Sequence, residues 1–417
     1  DPEVIYTIES GNLPPNCTIN PNSGVISGTI PADDIGSDTV YNFTAGVNDS
    51  GGNLITRDFS ITVKNSAVVN YTFSSFIFRG KTTGKDGPTF SETLALYDTT
   101  TYSWLNNTTY FNVNSDNMQI WQVPATGNYR IKTIGSAGGS PTAQTNIDNG
   151  GTGGYGSYTE AEVYLERNAH LLIVPGQIGE SNSTGGAGGG GGSFVAYRAP
   201  GEGTSFVDTD LIFAGGGGGG GAKMATSIAK LCTGGNGSLE FKGGNSPDGY
   251  VPGAGNIATQ GDASYALGYS ADFGGGNYGG GGGGGWLSSG RGRSAGNGAN
   301  GGSWSSSGGA GFNHNGSYET PLGGGFYWIT GGFGGGGSAG GASNGEGGGG
   351  GGGGYSGGAG DYAAYGGGSS NTIYNYINAG GGGGLYYHND PNLPTISNLS
   401  TGINTVLEHG KVIITKL

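Results

Sequence analysis

The stretch "LIFAGGGGGGGA", residues 211–222, joins a strand-like apolar run directly to seven consecutive glycines. Glycine loses more backbone freedom on ordering than any other residue, and it has no side chain to bury in return. Comparable tracts recur as "NYGGGGGGGW" (277–286), "GEGGGGGGGGYSGGAGDY" (345–362) and "NAGGGGGL" (378–385). The order strand, glycine tract, strand therefore decides the fold.

Glycine-rich sequence is usually a flexible linker or a disordered segment. Here the tract ends carry aromatic or apolar anchors, for which a linker has no use: Phe194, Phe213, Phe273, Trp286, Phe333, Tyr355 and Leu385. Collagen is excluded because glycine does not recur strictly at every third position and proline is sparse. The anchors favour an ordered bundle over disorder.

The backbone chemistry of such tracts predicts how they would pack. An extended polyproline-type helix has about three residues per turn and no internal hydrogen bonds, and the eight glycines at 347–354 would span about 25 Å in that form. Without Cβ atoms, neighbouring helices can approach and bond laterally, at about 1 kcal/mol net per hydrogen bond. We therefore predict bundled polyglycine II helices, with Gly218, Gly282 and Gly350 as structural residues and Trp286, Phe326 and Trp328 as caps.

Composition sets further bounds. With 16 Lys+Arg against 29 Asp+Glu the net charge is -13, which excludes a basic nucleic-acid footprint. No apolar run reaches the length of a membrane span, and the first residues resemble neither a signal peptide nor a lipidation motif, so we expect no membrane insertion. We expect Cys17 and Cys232 to be free and buried.

Residues 1–65 read as a β-sandwich module. "VIYTI", "VISGTI", "VYNFTAGV" and "LITRDFSITV" are short strand-like runs separated by turn sequences. Between Val4 and Val63 they resemble the immunoglobulin-like (cadherin-like) modules of bacterial surface proteins and phage fibres, which implies a spacer role. Such modules carry another strand before "VIYTI", so we expect the polypeptide to extend upstream of Asp1.

Residues 66–417 form the predicted glycine-rich domain. Residues 66–184 are mainly strands, including "MQIWQV", "NYRIKTIGSAGG", "YTEAEVYL" and "HLLIVPGQIG". Residues 185–384 hold the polyglycine helices and loops, and 385–417 hold a loop and the closing strand "HGKVIITKL". The stretch "GPTFSETLALYDTTTYSWL" is compatible with a short helix or a loop. The fold class is mainly β, a β-sandwich carrying polyglycine helices, with very little α-helix.

The motifs "MQIWQVPATGNYRIKTIGSAGG", "EVYLERNAHLLIVPGQIG", "LIFAGGGGGGG" and "GKVII" resemble, in type and order, the glycine-rich domain outside the membrane in anaplastic lymphoma kinase and leukocyte tyrosine kinase. Relatives of that domain occur in phage tail and virion proteins. The resemblance spans about Tyr71 to Leu417 and implies an ordered domain of a virion or surface fibre. The receptor domains are cysteine-rich and this chain is not, so a receptor is disfavoured.

Catalytic chemistry has little support. G-x-G-x-x-G matches carry no information in a chain with 100 glycines. His170, His314, His388 and His409 are scattered, and no pair has metal-ligand spacing. Glu160 and Glu162 are two residues apart, a spacing that places both side chains on the same face of a strand. The sequence "NDSGGN" (48–53) predicts a hydrogen-bonded turn rather than a calcium site. We predict no catalytic residue, metal or cofactor.

Ligand binding is assigned to tyrosines in the loops between tracts. Rings with small polar neighbours are typical of sugar-binding and paratope-like surfaces. The candidates are Tyr362, Tyr365, Tyr374, Tyr376, Tyr386 and Tyr387. The alternative is that such rings shield the sides of the glycine bundle.

Three functions follow as hypotheses. The first is a virion fibre or tail-tip adhesin that binds a host-surface glycan or protein. The second is a structural virion or extracellular filament protein that contacts other fibre subunits or copies of itself as a homo-oligomer. The third is a polysaccharide depolymerase. We expect a location on the virion, with a secreted or cell-surface protein as the alternative.

Overall fold

The computed structural model describes part of the chain. The described residues are 4–30, 39–63, 71–80, 86–141, 149–181, 186–221, 223–224, 233–241, 243–244, 280–286, 331–337, 339, 348–358, 360, 363–364, 376–377 and 379–417. The chain divides into two compact units. Unit 1 is Asp1–Thr72 with Pro124–Thr126, and unit 2 is Phe73–Val123 with Gly127–Leu417.

The described residues of unit 1 form five strands, which confirms the predicted β module. They are β1 (Val4–Gly11), β2 (Cys17–Ile19), β3 (Ile26–Gly28), β4 (Thr39–Asp49) and β5 (Leu54–Val63). The order β1-β4-β5 forms an antiparallel sheet, and β2 pairs with β3 in a hairpin. The buried Phe43 ring stacks on Phe59 of β5 at a centroid distance of 5.7 Å, which anchors the strand pair.

The turn between β4 and β5 is hydrogen-bonded, as predicted for "NDSGGN". The Asp49 carboxylate accepts bonds from the amides of Gly51 and Asn53, at 2.9 and 2.8 Å, and from Nδ2 of Asn53 at 2.9 Å. These donors favour the charged form and hold the pKa of Asp49 below its usual range. The Asp49 carboxylate therefore stabilises the turn.

Cys17 corrects one expectation from the sequence. It is a free thiol, but it is partly exposed on the short strand β2 rather than buried. A three-residue strand in a two-stranded hairpin has little around it to cover a side chain. Cys232 lies outside the described residues.

In unit 2, the described residues form two larger antiparallel sheets and short two-stranded pairs. Its strands are β6 (Ser75–Arg79), β7 (Phe111–Val113), β8 (Gln119–Gln122), β9 (Gly127–Ile134), β10 (Asn149–Gly150), β11 (Ser157–Leu165), β12 (His170–Val174), β13 (Ser193–Arg198), β14 (Leu211–Gly215), β15 (Lys223–Met224), β16 (Ala363–Ala364), β17 (Tyr376–Ile377), β18 (Tyr386–Tyr387), β19 (Ile396–Ile403) and β20 (Lys411–Lys416). The five-stranded sheet has the order β19-β11-β9-β20-β6, and the six-stranded sheet has the order β18-β14-β13-β12-β8-β7. The mainly β fold class is confirmed.

The two sheets pack face to face around a core of large apolar side chains. Strands β9 and β11 of the first sheet contact β14 of the second. Fully buried core residues include Phe78, Phe111, Trp121, Tyr129, Ile131, Leu171, Ile173, Val195 and Phe213. The predicted closing strand, β20, lies between β6 and β9, so the end of the chain completes the five-stranded sheet.

A single α-helix is present among the described residues, α1 (Phe90–Ala95), followed by a 3-10 turn at Ser103–Asn106. The sequence left this stretch open between helix and loop. Thr89 caps the helix, because its hydroxyl oxygen accepts from the amide of Glu92 while the Glu92 carboxylate accepts from the amide of Thr89. This reciprocal capping stabilises a helix of only six residues.

The glycine segments continue from the strand ends and bond to each other laterally. Every amide and carbonyl from Gly217 to Gly221 bonds to the backbone of another segment, at 2.7 to 3.0 Å. Six segments supply the partners: residues 136–139, 154, 187–190, 235, 350–353 and 380–383. The tract that opened the sequence argument is thus surrounded by backbone on all sides.

Partners of this central tract recur at every third residue. Gly217 donates to the Gly353 carbonyl, and Gly220, three residues later, donates to the Gly350 carbonyl, three residues earlier. The tract therefore bonds to the segment at 350–353 once in every three residues, and the two segments run antiparallel.

The strands set the direction of the tracts. Strands β9 and β14 both lead outward into glycine segments, and those two segments run parallel, since Gly218 and Gly221 donate to the carbonyls of residues 136 and 139. The bundle therefore also includes segments before residue 185, where the sequence placed mainly strands. It includes non-glycine residues too, because Ser136 turns its hydroxyl onto the Gln177 carbonyl at 2.7 Å.

The close approach explains why the tracts are glycine. A Cβ added to Gly218 would overlap the carbonyl oxygen of Gly154, and one added to Gly217 would overlap that of Gly190. Gly244 differs, because the nearest atom to an added Cβ would be the Gly382 oxygen at an ordinary 3.5 Å. Gly217 and Gly218 thus exclude even a methyl group, and Gly244 does not.

Candidate functional site

The candidate site lies at the edge of the six-stranded sheet, where a glycine tract becomes strand β18. Tyr386 pairs with Ala214 of β14, and Tyr387 pairs with Phe213. On the other side of this tract, residues 238–241 run alongside it. The amide of Ser238 donates to the Gly383 carbonyl at 2.8 Å, and the amide of Leu385 donates to the backbone carbonyl of Glu240 at 3.1 Å. The tract and the neighbouring segment together position the aromatic residues.

Four rings meet at this edge, and we name Phe241, Tyr355, Tyr386 and Tyr387 the edge aromatic cluster. Tyr355 stacks on Tyr386, with centroids 4.1 Å apart and planes inclined by 22°. Phe241 contacts both tyrosines of β18, at centroid distances of 5.2 Å to Tyr386 and 4.9 Å to Tyr387. Successive strand residues point to opposite faces, so Tyr386 and Tyr387 lie on opposite faces of β18. Phe241 contacts both rings and therefore covers the edge of this strand.

The cluster is partly buried and partly open to solvent. All four rings are of intermediate exposure, and Leu239 beside them is 52% exposed. Burial raises the pKa of Tyr386 to about 12, with smaller contributions from Tyr355 and Asp390, and burial also raises the pKa of Tyr355. Both hydroxyls stay protonated at neutral pH and can donate hydrogen bonds.

A histidine fixes the chain just after the cluster. The buried His388 bonds through Nε2 to the Pro394 carbonyl at 2.9 Å and through Nδ1 to the amide of Asp390 at 3.2 Å. An amide can only donate, so Nδ1 accepts and the proton sits on Nε2. Burial lowers the pKa of His388, which keeps this neutral form at neutral pH.

The buried anchors lie on the outer face of the same sheet. Trp286 is 1% exposed and packs on Phe194 of β13 at a centroid distance of 5.4 Å, and Phe333 is equally buried. Both belong to one cluster with Leu172 and Val174 of β12, against which Tyr355 and Tyr386 pack. The candidate site thus rests on a rigid apolar layer.

Among the described residues, the structure brings together two of the tyrosines proposed from the sequence. Tyr386 and Tyr387 are in the edge aromatic cluster. Tyr376 is in strand β17, paired with Ala364 of β16. Tyr362, Tyr365, Tyr374 and Trp328 lie outside the described residues. Of the structural glycines, Gly218, Gly282 and Gly350 are all buried in the bundle.

Sequence reasoning missed Phe241 as a site residue and assigned Tyr355 only as a tract anchor. The signal for Phe241 was weak, because "SLEFK" (238–242) is a run of only five residues between glycines. Its place beside β18 depends on the parallel bridge between Ser238 and Gly384, which no local pattern encodes.

The acidic residues Glu160 and Glu162 take part in ion pairs on the five-stranded sheet. Glu160 pairs with Lys132 of β9 at 3.0 Å. Glu162 pairs with Arg130 at 2.7 Å and accepts from Asn398 at 2.7 Å, and these contacts lower the pKa of Glu162. Both carboxylates therefore have basic partners across the strands.

Unit 1 carries a groove of its own, with a volume of about 460 Å³. A chain of side chains crosses it: Ser10 donates to the Thr44 hydroxyl at 2.9 Å, and Thr44 donates to the Asp58 carboxylate at 2.7 Å. These polar groups are satisfied by one another.

Comparison with known proteins identifies the first unit. Residues 2–64 match the family model described as "Putative Ig domain". The N-terminal module is immunoglobulin-like. This family suggests a surface or adhesion-type module and is typically non-enzymatic. A search of the curated proteins finds no match.

Within the described residues, no helix is long and apolar enough to cross a membrane, and no group of three or more potential metal ligands occurs.

Proposed function

We propose that this chain is a virion fibre or tail-tip adhesin, in which unit 1 acts as a spacer and unit 2 presents binding loops on a rigid glycine scaffold. The observation that carries the proposal is the central tract at residues 217–221, whose backbone bonds to six other segments. A binding surface held at both ends by such a scaffold loses little entropy on contact with its ligand.

The scaffold proposal includes a specific backbone form. We assign the tracts to the polyglycine II conformation, because the hydrogen-bond partners recur every three residues and tract positions such as Gly217 and Gly218 leave no room for Cβ. This form also fits the resemblance of residues 71–417 to a glycine-rich domain of receptors and virion proteins.

The binding role is assigned to aromatic loops at the edge of the scaffold. The tyrosine-rich sequence at 361–378 connects the tract that ends at residue 360 with the tract that follows residue 379. The edge aromatic cluster adjoins the same two tracts, since Tyr355 lies in the first and Tyr386 follows the second. Connections held by ordered elements carry recognition more often than the elements themselves. A host-surface glycan or protein is the proposed partner, and we assign no catalytic role, cofactor or nucleic-acid partner.

A structural filament protein is the second candidate. One observation favours it: β5 is an edge strand with apolar side chains in solvent, Ile55 being 74% exposed and Phe59 45% exposed. Exposed apolar edge strands are prone to pair with other chains. Contact with other fibre subunits or with a second copy would cover them.

Binding of the fluorescently labelled full chain to a panel of bacterial cells with different surface polysaccharides tests the proposal. The adhesin hypothesis expects saturable binding to a subset of the panel, and antibodies to unit 2 should label intact virions at a tail or fibre tip. Absence of binding across the panel, with ordered polymers of the purified chain, would instead favour the filament. Release of reducing sugar would favour a depolymerase.

A further inference from the structure

The edge aromatic cluster differs from the other ring clusters of unit 2 in its surroundings. The rings around Phe76 and Trp104 lie in the sandwich core, where both residues are about 5% exposed. The edge aromatic cluster instead keeps intermediate exposure and adjoins an exposed leucine. Rings that stay open to solvent beside a rigid support are suited to ligand contact.

The charges near the cluster limit the class of ligand. Glu240 is exposed beside Phe241, and Asp390 lies close enough to Tyr386 to contribute to its raised pKa. Glu240 and Asp390 are the acidic residues of the described segments 238–241 and 384–394, which contain no lysine or arginine. Lys242, outside the described residues, follows Phe241 in sequence and leaves the group net negative. The whole chain carries -13, so an acidic ligand is repelled at short and long range.

The polar groups complement sugar hydroxyls. The Glu240 and Asp390 carboxylates accept hydrogen bonds, and the protonated hydroxyls of Tyr355 and Tyr386 can donate them. Aromatic faces carry negative charge density that attracts the C–H groups of a pyranose ring. Acceptors, donors and ring faces together fit a saccharide better than they fit an apolar peptide.

We propose that the edge aromatic cluster is a binding site for an uncharged or amino-sugar-containing saccharide, with Tyr387 and Phe241 as the contact rings. Tyr355 and Tyr386 stack on each other and support them. The proposal rests on the adhesin function proposed above and narrows it, because it excludes acidic glycans and proteins as the ligand of this surface.

Immobilised oligosaccharides, grouped as neutral, amino-containing and acidic, test this site with the full chain. We expect binding to members of the first two groups only, and Tyr387→Ala and Phe241→Ala should each weaken it at least about tenfold. Tyr164→Ala is the matched control, because Tyr164 is a tyrosine 51% exposed on β11 of the other sheet. It should bind like the unaltered chain.

A second measurement uses the unaltered chain, in case a variant unfolds. Nitration of Tyr387, followed by peptide mass spectrometry, should slow at least about fivefold with saturating oligosaccharide, while nitration of Tyr164 should not change. Binding restricted to acidic glycans, or equal binding by all variants without protection of Tyr387, would overturn the site. If the full chain binds cells but no saccharide, this site fails and the adhesin function stands; if it binds neither, both fail.

Discussion

The amide of Gly220 donates a 2.8 Å hydrogen bond to the carbonyl of Gly350, although 130 residues separate them in the chain. The carbonyl of Gly220 in turn accepts from Gly380 at 3.0 Å. Three tracts that look interchangeable in sequence are therefore tied into one structure by their backbones. The bundle depends on contacts between segments that are distant in sequence, so a substitution that disrupts one tract should destabilise the others as well.

A methyl group inside the bundle should destabilise it. We expect Gly218→Ala to lower the free energy of unfolding by about 2 kcal/mol or more, since its Cβ would displace the Gly154 carbonyl. Gly350→Val should do at least as much, because the amide and carbonyl of Gly350 bond to Ala187 and Gly220. Gly244→Ala is the control, with room for the added Cβ. Thermal unfolding of all three variants measures the difference, and equal melting temperatures would contradict the packing.

The immunoglobulin-like module should be dispensable for recognition. Deleting residues 4–63 should leave binding to responsive cells within about twofold, because a spacer contributes reach rather than contacts. Flow cytometry with the deleted and full chains compares them. Loss of binding by a truncated chain whose melting temperature is unchanged would move recognition to unit 1.

The tyrosine loop at residues 361–378 should contribute to affinity. Tyr374 and Tyr376 are two residues apart, a spacing that places side chains on one face of a strand. We expect Tyr374→Ala with Tyr376→Ala to weaken cell binding at least about tenfold, or roughly 1.4 kcal/mol, at a nearly unchanged melting temperature. If stability falls while binding persists, these rings cap the bundle instead.

Unit 2 should lose stability in mild acid. Burial lowers the pKa of His170, His388 and His409 below 6.5, and the Nδ1 atom of His409 accepts from the amide of Ile178. The unfolded chain then binds more protons than the folded chain, so stability rises with pH through this range. We expect the melting temperature to fall by about 2 °C or more from pH 7.5 to pH 5.5.

A variant isolates one contribution to this dependence. His388→Gln keeps a donor for Pro394 and an acceptor for Asp390 but does not titrate, so it should flatten the pH dependence. Among the described residues of unit 2, the carboxylates with lowered pKa are Asp98, Glu162 and Glu408, and their lowered pKa values keep them charged throughout this window. A melting temperature independent of pH between 7.5 and 5.5 would contradict the assignment of neutral histidines.

The sequence predicted the strands well because their signal is local. Alternating or continuous apolar runs marked β14 at "LIFAG" and β20 at "KVIITK", and both are confirmed. It also placed the turn at Asp49 correctly, since Asp and Gly favour that geometry. The partial exposure of Cys17 was missed, because burial depends on which elements cover a strand.

The arrangement of the tracts could not be predicted, for a physical reason. Identical glycines carry no side-chain information, so nothing in "GGGGGGG" at 215–221 says that residues 350–353 and 380–383 are its neighbours. The register comes from the strands at the tract ends, such as β14 and β18, and from inserted anchors such as Trp286. The candidate site could not be predicted for the same reason. Phe241 joins the edge aromatic cluster only because residues 238–241 pair with the glycine tract before β18.

Native-state hydrogen exchange of the amides at Gly217–Gly221, read by mass spectrometry of fragments or by NMR, tests whether this tract is a buried hydrogen-bonded element. The account predicts that these amides exchange as slowly as those of strand β14, at least about a thousandfold slower than an unstructured glycine peptide, because they open only with the global unfolding of unit 2. Exchange of the tract at the rate of an unstructured chain, while β14 stays protected, would show a flexible linker and contradict the glycine scaffold.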